Sequence, residues 1–297
     1  MEDKDIVLGI DFNNLLFTSY YSPPLINSNG MNVNAINGFF RKLSILVEIF
    51  NPASIVIACD LSRSRTFRRR LFRDYKAQRK PLDNEIINQI DSAKQICSLL
   101  GYPVIDNVEF EADDILGMTS RLCRDNNLEM VIVSSDKDMY QLLTDTTYIS
   151  SPKIDELITQ DWLLNKYKVA PGQWIEVKML QGDRSDNIPG IPKIGEITAL
   201  QLIQDYGNIE NIYKHINQLK PSIRETLLEN KHTLDLLRQL VTIVTNYSLI
   251  ELNIESIQMN IPMEDMLFEV LSELELFGLF NTMRYNLLNK EIKTLAA

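Results

Sequence analysis

Histidine is almost absent from this chain, which carries two in 297 residues, His215 and His232. Triads and multi-histidine metal sites therefore have too little material to form. The three cysteines, Cys59, Cys97 and Cys123, are far apart and cannot all pair. With no Cys-x-x-Cys cluster among them, a disulfide framework and a structural zinc site are both excluded. They are expected to be buried thiols. Long apolar stretches are missing too, since the longest uninterrupted run is Ile55–Cys59, far below the roughly 18 residues of a membrane-spanning helix. The acidic opening Met-Glu-Asp-Lys-Asp lacks the apolar core of a secretory signal. No membrane association and a cytoplasmic location are expected. Positive charge is also in deficit: 30 Lys plus Arg face 40 Asp plus Glu, a net charge of −10. Averaged over the chain, such acidity argues against a polyanionic partner.

What remains, 45% hydrophobic and 24% charged residues, is ordinary for a folded enzyme. Ile6–Asp11 and Ser54–Asp60 read as buried strands that each end in an acid. Between them residues 34–50 place apolar side chains at helical spacing. A helix over about 83–100, a strand through 103–105, a helix over 112–125 and a buried strand over 130–135 follow. Alternation of this kind predicts an α/β fold with a mostly parallel central sheet. Its ligands should bind beyond the carboxyl ends of the strands. From about residue 150 the pattern turns helical, with helices near 159–167, 171–181, 195–206, 221–229 and 231–244. The expected organisation is a catalytic α/β domain over 1–150 and an α-helical region over 151–297.

Acids concentrate where the strands end. Asp11, Asp60 and Asp136 close three strands, and Glu111, Asp113 and Asp114 open a helix. Capping carboxylates are common at helix starts, so the second group alone says little. Asp136 and Asp138, two apart, share a face if the strand continues. Asp183 and Asp186, three apart, align on a turn or helix. Nine converging carboxylates would repel one another without cations, which points to hard divalent ions, Mg²⁺ or Mn²⁺, and to two-metal phosphoryl chemistry.

The missing positive charge is gathered in one place. Residues 63–80 hold seven Arg, two Lys and one Asp, a net +8, with Phe67, Phe72 and Tyr75 interleaved. Bases for a phosphate backbone with rings for stacking are the chemistry of a strand-holding element.

These segments, together with Gly9-Ile-Asp11, Thr66-Phe67-Arg68, Tyr75–Pro81, Glu111–Asp114, Ser135–Leu143 and Gly182–Gly190, run in the same order as in the 5′-nuclease (flap endonuclease) superfamily. The chain resembles most closely the 5′-to-3′ exonuclease domain of bacterial DNA polymerase I and its free-standing phage and bacterial relatives. The resemblance implies a PIN-like sheet with a helical arch at about 61–82 and a helix-hairpin-helix element near 183–206. It implies a structure-selective nuclease that cuts branched, nicked or 5′-ended double-stranded DNA, including RNA-primed ends, in flap or primer removal during replication and repair. It should act as a monomer, in a bacterial or phage-infected cell and near the nucleoid, beside a separate polymerase.

By the same resemblance one metal would draw on Asp11, Asp60, Glu111 and Asp113, and a second on Asp113 or Asp114, Asp136, Asp138, Asp183 and Asp186. Tyr75 would stack on a base, and Lys76 and Arg79 would hold the scissile phosphate. Arg68, Arg69, Arg70 and Arg73 would supply general attraction. Lys193 and Gly195 would touch duplex DNA, and the carbonyls of Ile191 and Ile194 would hold a potassium ion. Three departures qualify this. Lys193 replaces a hairpin glycine, Ile197 a lysine, and Thr18 an arginine that touches phosphate. The Gly-x4-Gly spacing at 190–195 is not a nucleotide-binding P-loop, because Glu196-Ile197 stands where Lys-Ser or Lys-Thr is required. A PIN-like ribonuclease and a silent DNA-binding protein are the rival readings.

Overall fold

The structure is a computed structural model, described here for residues 5–61, 65–154 and 156–283. Six strands form one sheet: β1 (Ile6–Asp11), β2 (Ser54–Asp60), β3 (Val104–Asn107), β4 (Glu129–Val133), β5 (Thr147–Ser150) and β6 (Leu157–Ile158). Their order is β3-β2-β1-β4-β5-β6, parallel throughout except for the antiparallel β5–β6 pair. The strand order reverses between β1 and β4, and such switch points open a crevice at the carboxyl ends of the strands.

Residues 277–283 are helical, and the other α-helices among the described residues pack on the sheet or on one another. In chain order they are α1 (Phe12–Tyr20), α2 (Asn34–Phe50), α3 (Phe67–Leu71), α4 (Asn84–Leu99), α5 (Ala112–Asp125), α6 (Gln160–Tyr167), α7 (Pro171–Gln181), α8 (Glu196–Tyr206), α9 (Ile209–Lys214), α10 (Pro221–Glu229), α11 (Leu234–Val241) and α12 (Glu264–Glu273).

Side-chain alternation along the strands explains why both faces are covered. Leu8, Ile10, Ile55, Ile57, Val131 and Val133 point to one face, where they pack with Phe12, Leu16, Phe39, Phe40 and Ile96 from α1, α2 and α4. Val7, Val56, Ala58, Met130 and Ile132 point to the other, against Ile115, Leu116 and Met118 of α5. The second cluster continues without a break through Trp174 and Val177 into Ile203, Leu227 and Leu237. The helical region thus shares its core with one sheet face, while Leu267 and Leu271 of α12 return to the opposite face. All three cysteines are buried and unpaired, and burial pushes Cys59 and Cys123 up to about 12. No helix among the described residues is long and apolar enough to cross a membrane.

Strands β5 and β6 and helices α1 and α9 were not expected from the sequence, and two stretches that bear on the site differ from their expected form. The 130–135 strand ends at Val133, and Lys137–Leu142 winds into a 3-10 helix capped by the Asp136 carboxylate, which accepts from the Asp138 amide at 2.8 Å. Asp136 and Asp138 therefore do not share a strand face. The basic segment, expected as a helical arch, holds among its described residues the short helix α3 followed by turns through residue 78. Those turns are drawn down onto the acidic loop at 184–187: the Lys76 amide donates to the Asp186 carbonyl and the Gln78 amide to the Arg184 and Ser185 carbonyls.

Candidate active site

Adjacent β1, β2 and β4 deliver Asp11, Asp60 and Asp136 to one edge, and the start of α5 adds Asp113. These four acids and Asp186 line a cavity of about 370 Å³. Lys76 and Arg79 form part of its wall, as do Phe17 and Tyr21. Asparagines at 13 and 14 fix the carboxylates. Asn13 donates to Asp60 Oδ2 at 3.0 Å, while the amide of Ala112 at the α5 start reaches Asp60 Oδ1 at 2.9 Å. Asp11 accepts from Ser134 Oγ at 2.8 Å and from the Asn14 amide at 3.2 Å, so it also caps α1.

Three of the nine acids, Asp11, Asp113 and Asp138, are pushed above the ordinary carboxylate range, Asp138 to about 7 by burial and the charge of Asp136. Burial, with added repulsion from Asp60 and Asp136, pushes Asp11 up to about 7. Burial and the nearby charges of Asp136 and Asp11 raise Asp113 well above the usual carboxylate range. Bases contact the flanking acids. Arg68 makes two bonds to Asp114, at 2.6 and 2.8 Å, and one to Glu111 at 3.2 Å. Lys76 Nζ lies 2.7 Å from Glu111 and 3.5 Å from Asp186, which Arg79 also grips at 2.5 Å. Lys178 contacts Asp138 at 2.6 Å and also pairs with Asp183. With these cations inserted, no three acids among the described residues stand close enough to share an ion in this arrangement.

Three residues with expected roles at the site are buried in this arrangement. Asp114 is fully buried. Its oxygens are consumed by Arg68 and by the amides of Glu111 and Val244, the first of which is a helix-capping bond. In this arrangement Asp114 serves as the counter-ion of Arg68. Arg68 is 3% exposed and also donates to the Leu240 and Thr242 carbonyls. It ties α3 to α5 and the end of α11 and offers no general attraction to DNA. Tyr75 is likewise 3% exposed, with its hydroxyl on Glu111 and Asp186, so its ring is closed to a base in this arrangement.

The other bases are spread out. Arg69 donates to the Tyr75 carbonyl, Arg70 pairs with Glu109, and Arg73 is exposed. Residues 62–64, at the start of the basic segment, lie outside the described residues.

Asp183 and Asp186 sit on a tight loop closed by reciprocal backbone bonds between Asp183 and Ile188. Gly182 and Gly190 make that closure possible. Both have positive φ, and a Cβ on either would lie within 2.5 Å of the other strand's backbone. Asp183 Oδ1 accepts from the Ser185 and Asp186 amides, which turns the two carboxylates to different partners. Beyond the loop α7 and α8 form a helical pair, with Gly195 as the N-cap of α8. Lys193 keeps the left-handed backbone of the glycine it replaces, φ +68°, with its side chain exposed. Ile191 and Ile194 are buried, and the Ile191 carbonyl accepts the Ile194 amide. Ile197 is 86% exposed. At the position of the missing arginine, the Lys42 ammonium reaches the Thr18 hydroxyl at 2.5 Å, bringing a cation from α2 instead.

Lys178, Lys42, Asn13, Asn14 and the ring pair Phe17 and Tyr21, stacked at 6.4 Å, are absent from the sequence reading. Only the helical period of residues 12–20, which places 13, 14, 17, 18 and 21 on one side, could have signalled part of this set.

The chain resembles known proteins along most of its length. Residues 6–168 match the 5′-3′ exonuclease N-terminal resolvase-like domain, and residues 169–265 the 5′-3′ exonuclease C-terminal SAM fold. A 5′-3′ exonuclease of Halalkalibacterium halodurans is 35% identical over 254 residues, covering 81% of this chain and 84% of the relative. DNA polymerase I of Lactococcus lactis subsp. cremoris is 37% identical over 259 residues, 82% of this chain, and there the chain spans only 29% of the relative's length. In fold the chain is similar to T5 5′-exonuclease with bound zinc, at TM-score 0.68 and 20% identity over 90% of this chain and 98% of that one. It is also similar to the catalytic core of Rad2 in complex with DNA, at TM-score 0.61 and 16% identity over 97% and 92%. Strand ends that converge on an acid-lined cavity, the helical pair beside it and these matches agree: the chain belongs to the 5′-3′ exonuclease family.

Proposed function

We propose that the protein is a divalent-metal-dependent, structure-selective 5′ nuclease that hydrolyses DNA phosphodiesters at nicks, gaps and 5′ flaps. One observation carries the reading: Asp11, Asp60, Asp113 and Asp136 meet at the carboxyl ends of three adjacent strands under Lys76 and Arg79. The donor set is all oxygen, which suits Mg²⁺ or Mn²⁺ and not a soft metal. Burial, with repulsion between neighbouring carboxylates, raises Asp11 and Asp113, and a divalent cation would relieve the repulsion. The four cavity acids would hold the first ion, with Glu111 close by. Asp136, Asp138, Asp183 and Asp186 would serve a second. Bound there, a pair of such ions supplies an activated water and charge stabilisation at the leaving oxygen.

The chain's own residues position the substrate. Lys76 and Arg79, now paired with Glu111 and Asp186, are placed to exchange those partners for a phosphate's oxygens. The exposed ring of Tyr21 at the cavity mouth offers a stacking face that buried Tyr75 does not. The α7–α8 pair with Gly195 and Lys193 would grip duplex phosphates, with a potassium ion at the Ile191 and Ile194 carbonyls. RNA-primed 5′ ends, a monomeric state and work beside a polymerase complete the reading. The DNA polymerase I relatives support the last.

The test is cleavage of labelled 5′-flap, nicked and RNA-only duplexes in Mg²⁺. Cutting at the branch that is lost in chelator supports the reading. Cleavage confined to RNA, or binding without turnover in Mg²⁺ and Mn²⁺, would overturn it.

A further inference from the structure

Lys178 emerges from α7 with 5% exposure, in a chain where buried lysine needs a reason. Its ammonium joins two acids from different elements, Asp138 of the 3-10 turn after β4 and Asp183 of the glycine-closed loop. Asp183 Oδ1 is already occupied by the Ser185 amide and hydroxyl and by the Asp186 amide. The oxygen left to bind anything else is Oδ2, which Lys178 holds. On the other side, the buried Asp138 Oδ1 lies 2.6 Å from the same ammonium. One cation thus engages both carboxylates, and a divalent ion that takes several oxygen ligands would compete with it for them.

We propose that Lys178 is an internal counter-cation that occupies the Asp138–Asp183 pair in the DNA-free protein and lowers its affinity for a divalent ion. This inference rests on the metal-dependent reading above. It makes the two halves of the acid site unequal: the cavity acids load first and tightly, the Lys178 half weakly. The two carboxylates, the ammonium and a divalent ion together carry one surplus positive charge, and a single phosphodiester neutralises it. Occupancy of the weak half is therefore coupled to substrate. Lys178 acts through the carboxylates it touches and is a positioning residue.

Mn²⁺ titration of the full chain without DNA, followed by the electron paramagnetic resonance of free ion, tests this directly. Wild type should show a tight and a weak class of sites. In Lys178→Met the weak class should tighten at least about tenfold, and the metal-free protein should melt at a lower temperature because two half-buried carboxylates lose their partner. Lys178→Arg, which keeps the charge, should retain the weak class. Should Lys178→Met not fold, Asp183→Asn replaces it and should abolish the weak class while sparing the tight one. Superimposable wild-type and Lys178→Met isotherms, tightening in the arginine variant, or loss of the tight class in Asp183→Asn would each overturn the role of Lys178. So would two equally tight ions in wild type. No Mn²⁺ binding by wild type at all would instead sink the metal-dependent reading.

Discussion

Asp113 and Asp114 are neighbours in sequence, on one helix start, and their surroundings could hardly differ more. Asp113 faces the cavity among Asp11 and Asp136 and is pushed toward its neutral form. Asp114 is sealed inside, bonded twice to Arg68 and capping α5. Asp11 and Asp113 are under-neutralised, a state suited to recruiting cations. Asp114, Glu111 and Asp186 are paired with the chain's own bases. Asp138 falls between, raised to about 7 by burial and the charge of Asp136 although Lys178 lies beside it.

The comparison can be broken in order of effect. Asp113→Asn should lower flap cleavage by about a thousandfold, since it removes several kcal/mol of transition-state stabilisation. The same change should raise the melting temperature of metal-free protein, because a buried repulsive charge is gone. Cleavage rate and thermal melting in chelator check both halves. Arg68→Met should cost about 3–5 kcal/mol in urea unfolding, as it leaves Asp114 buried without its partner. A change below 1 kcal/mol would mean that the pair is not structural.

The pH response sharpens the contrast further. Asp11 and Asp113 have folded-state pKa values above their ordinary ones, with Asp11 up to about 7 from 3.8. Between those pH values the folded protein binds more protons than the unfolded chain, so stability falls as pH rises from about 4 to 7. Melting in chelator at pH 5 and 7 should show that loss, and Mg²⁺ should restore most of it. A profile that is flat without metal would remove the basis for calling these acids under-neutralised. The smallest effect belongs to the hairpin turn. Lys193→Gly should add about 1 kcal/mol of stability, because glycine adopts φ +68° without the strain a side chain meets there.

Strands β1, β2 and β4 were legible because they are apolar runs that lead into acids, a local signal that survives folding, and β3 was read in part; β5 and β6, four and two residues long, were not. Helix α2 and the bounds of α5 and α7 were legible for the same reason. Helix α1 was not, since Asn13, Asn14, Thr18 and Ser19 interrupt its apolar pattern, and α9 has too few residues to show a period. At the site, residue type and order pointed to all the acids, but not to which of them stay available. That depends on pairs separated by 35 to 46 positions, such as Lys76 with Glu111 and Arg68 with Asp114. The +8 segment is the clearest case. Its charge reads as a surface for DNA, yet Arg68 and Lys76 are spent inside on the acids. Such long-range neutralisation leaves no trace in local sequence.

Asp113→Asn and Asp114→Asn, compared side by side for cleavage of a 5′-flap duplex and for stability, test the central division most directly. The division predicts that Asp113→Asn is well folded and silent, while Asp114→Asn is destabilised and its folded fraction cuts at close to the wild-type rate. A folded Asp114→Asn that does not cut, beside an Asp113→Asn that does, would contradict it.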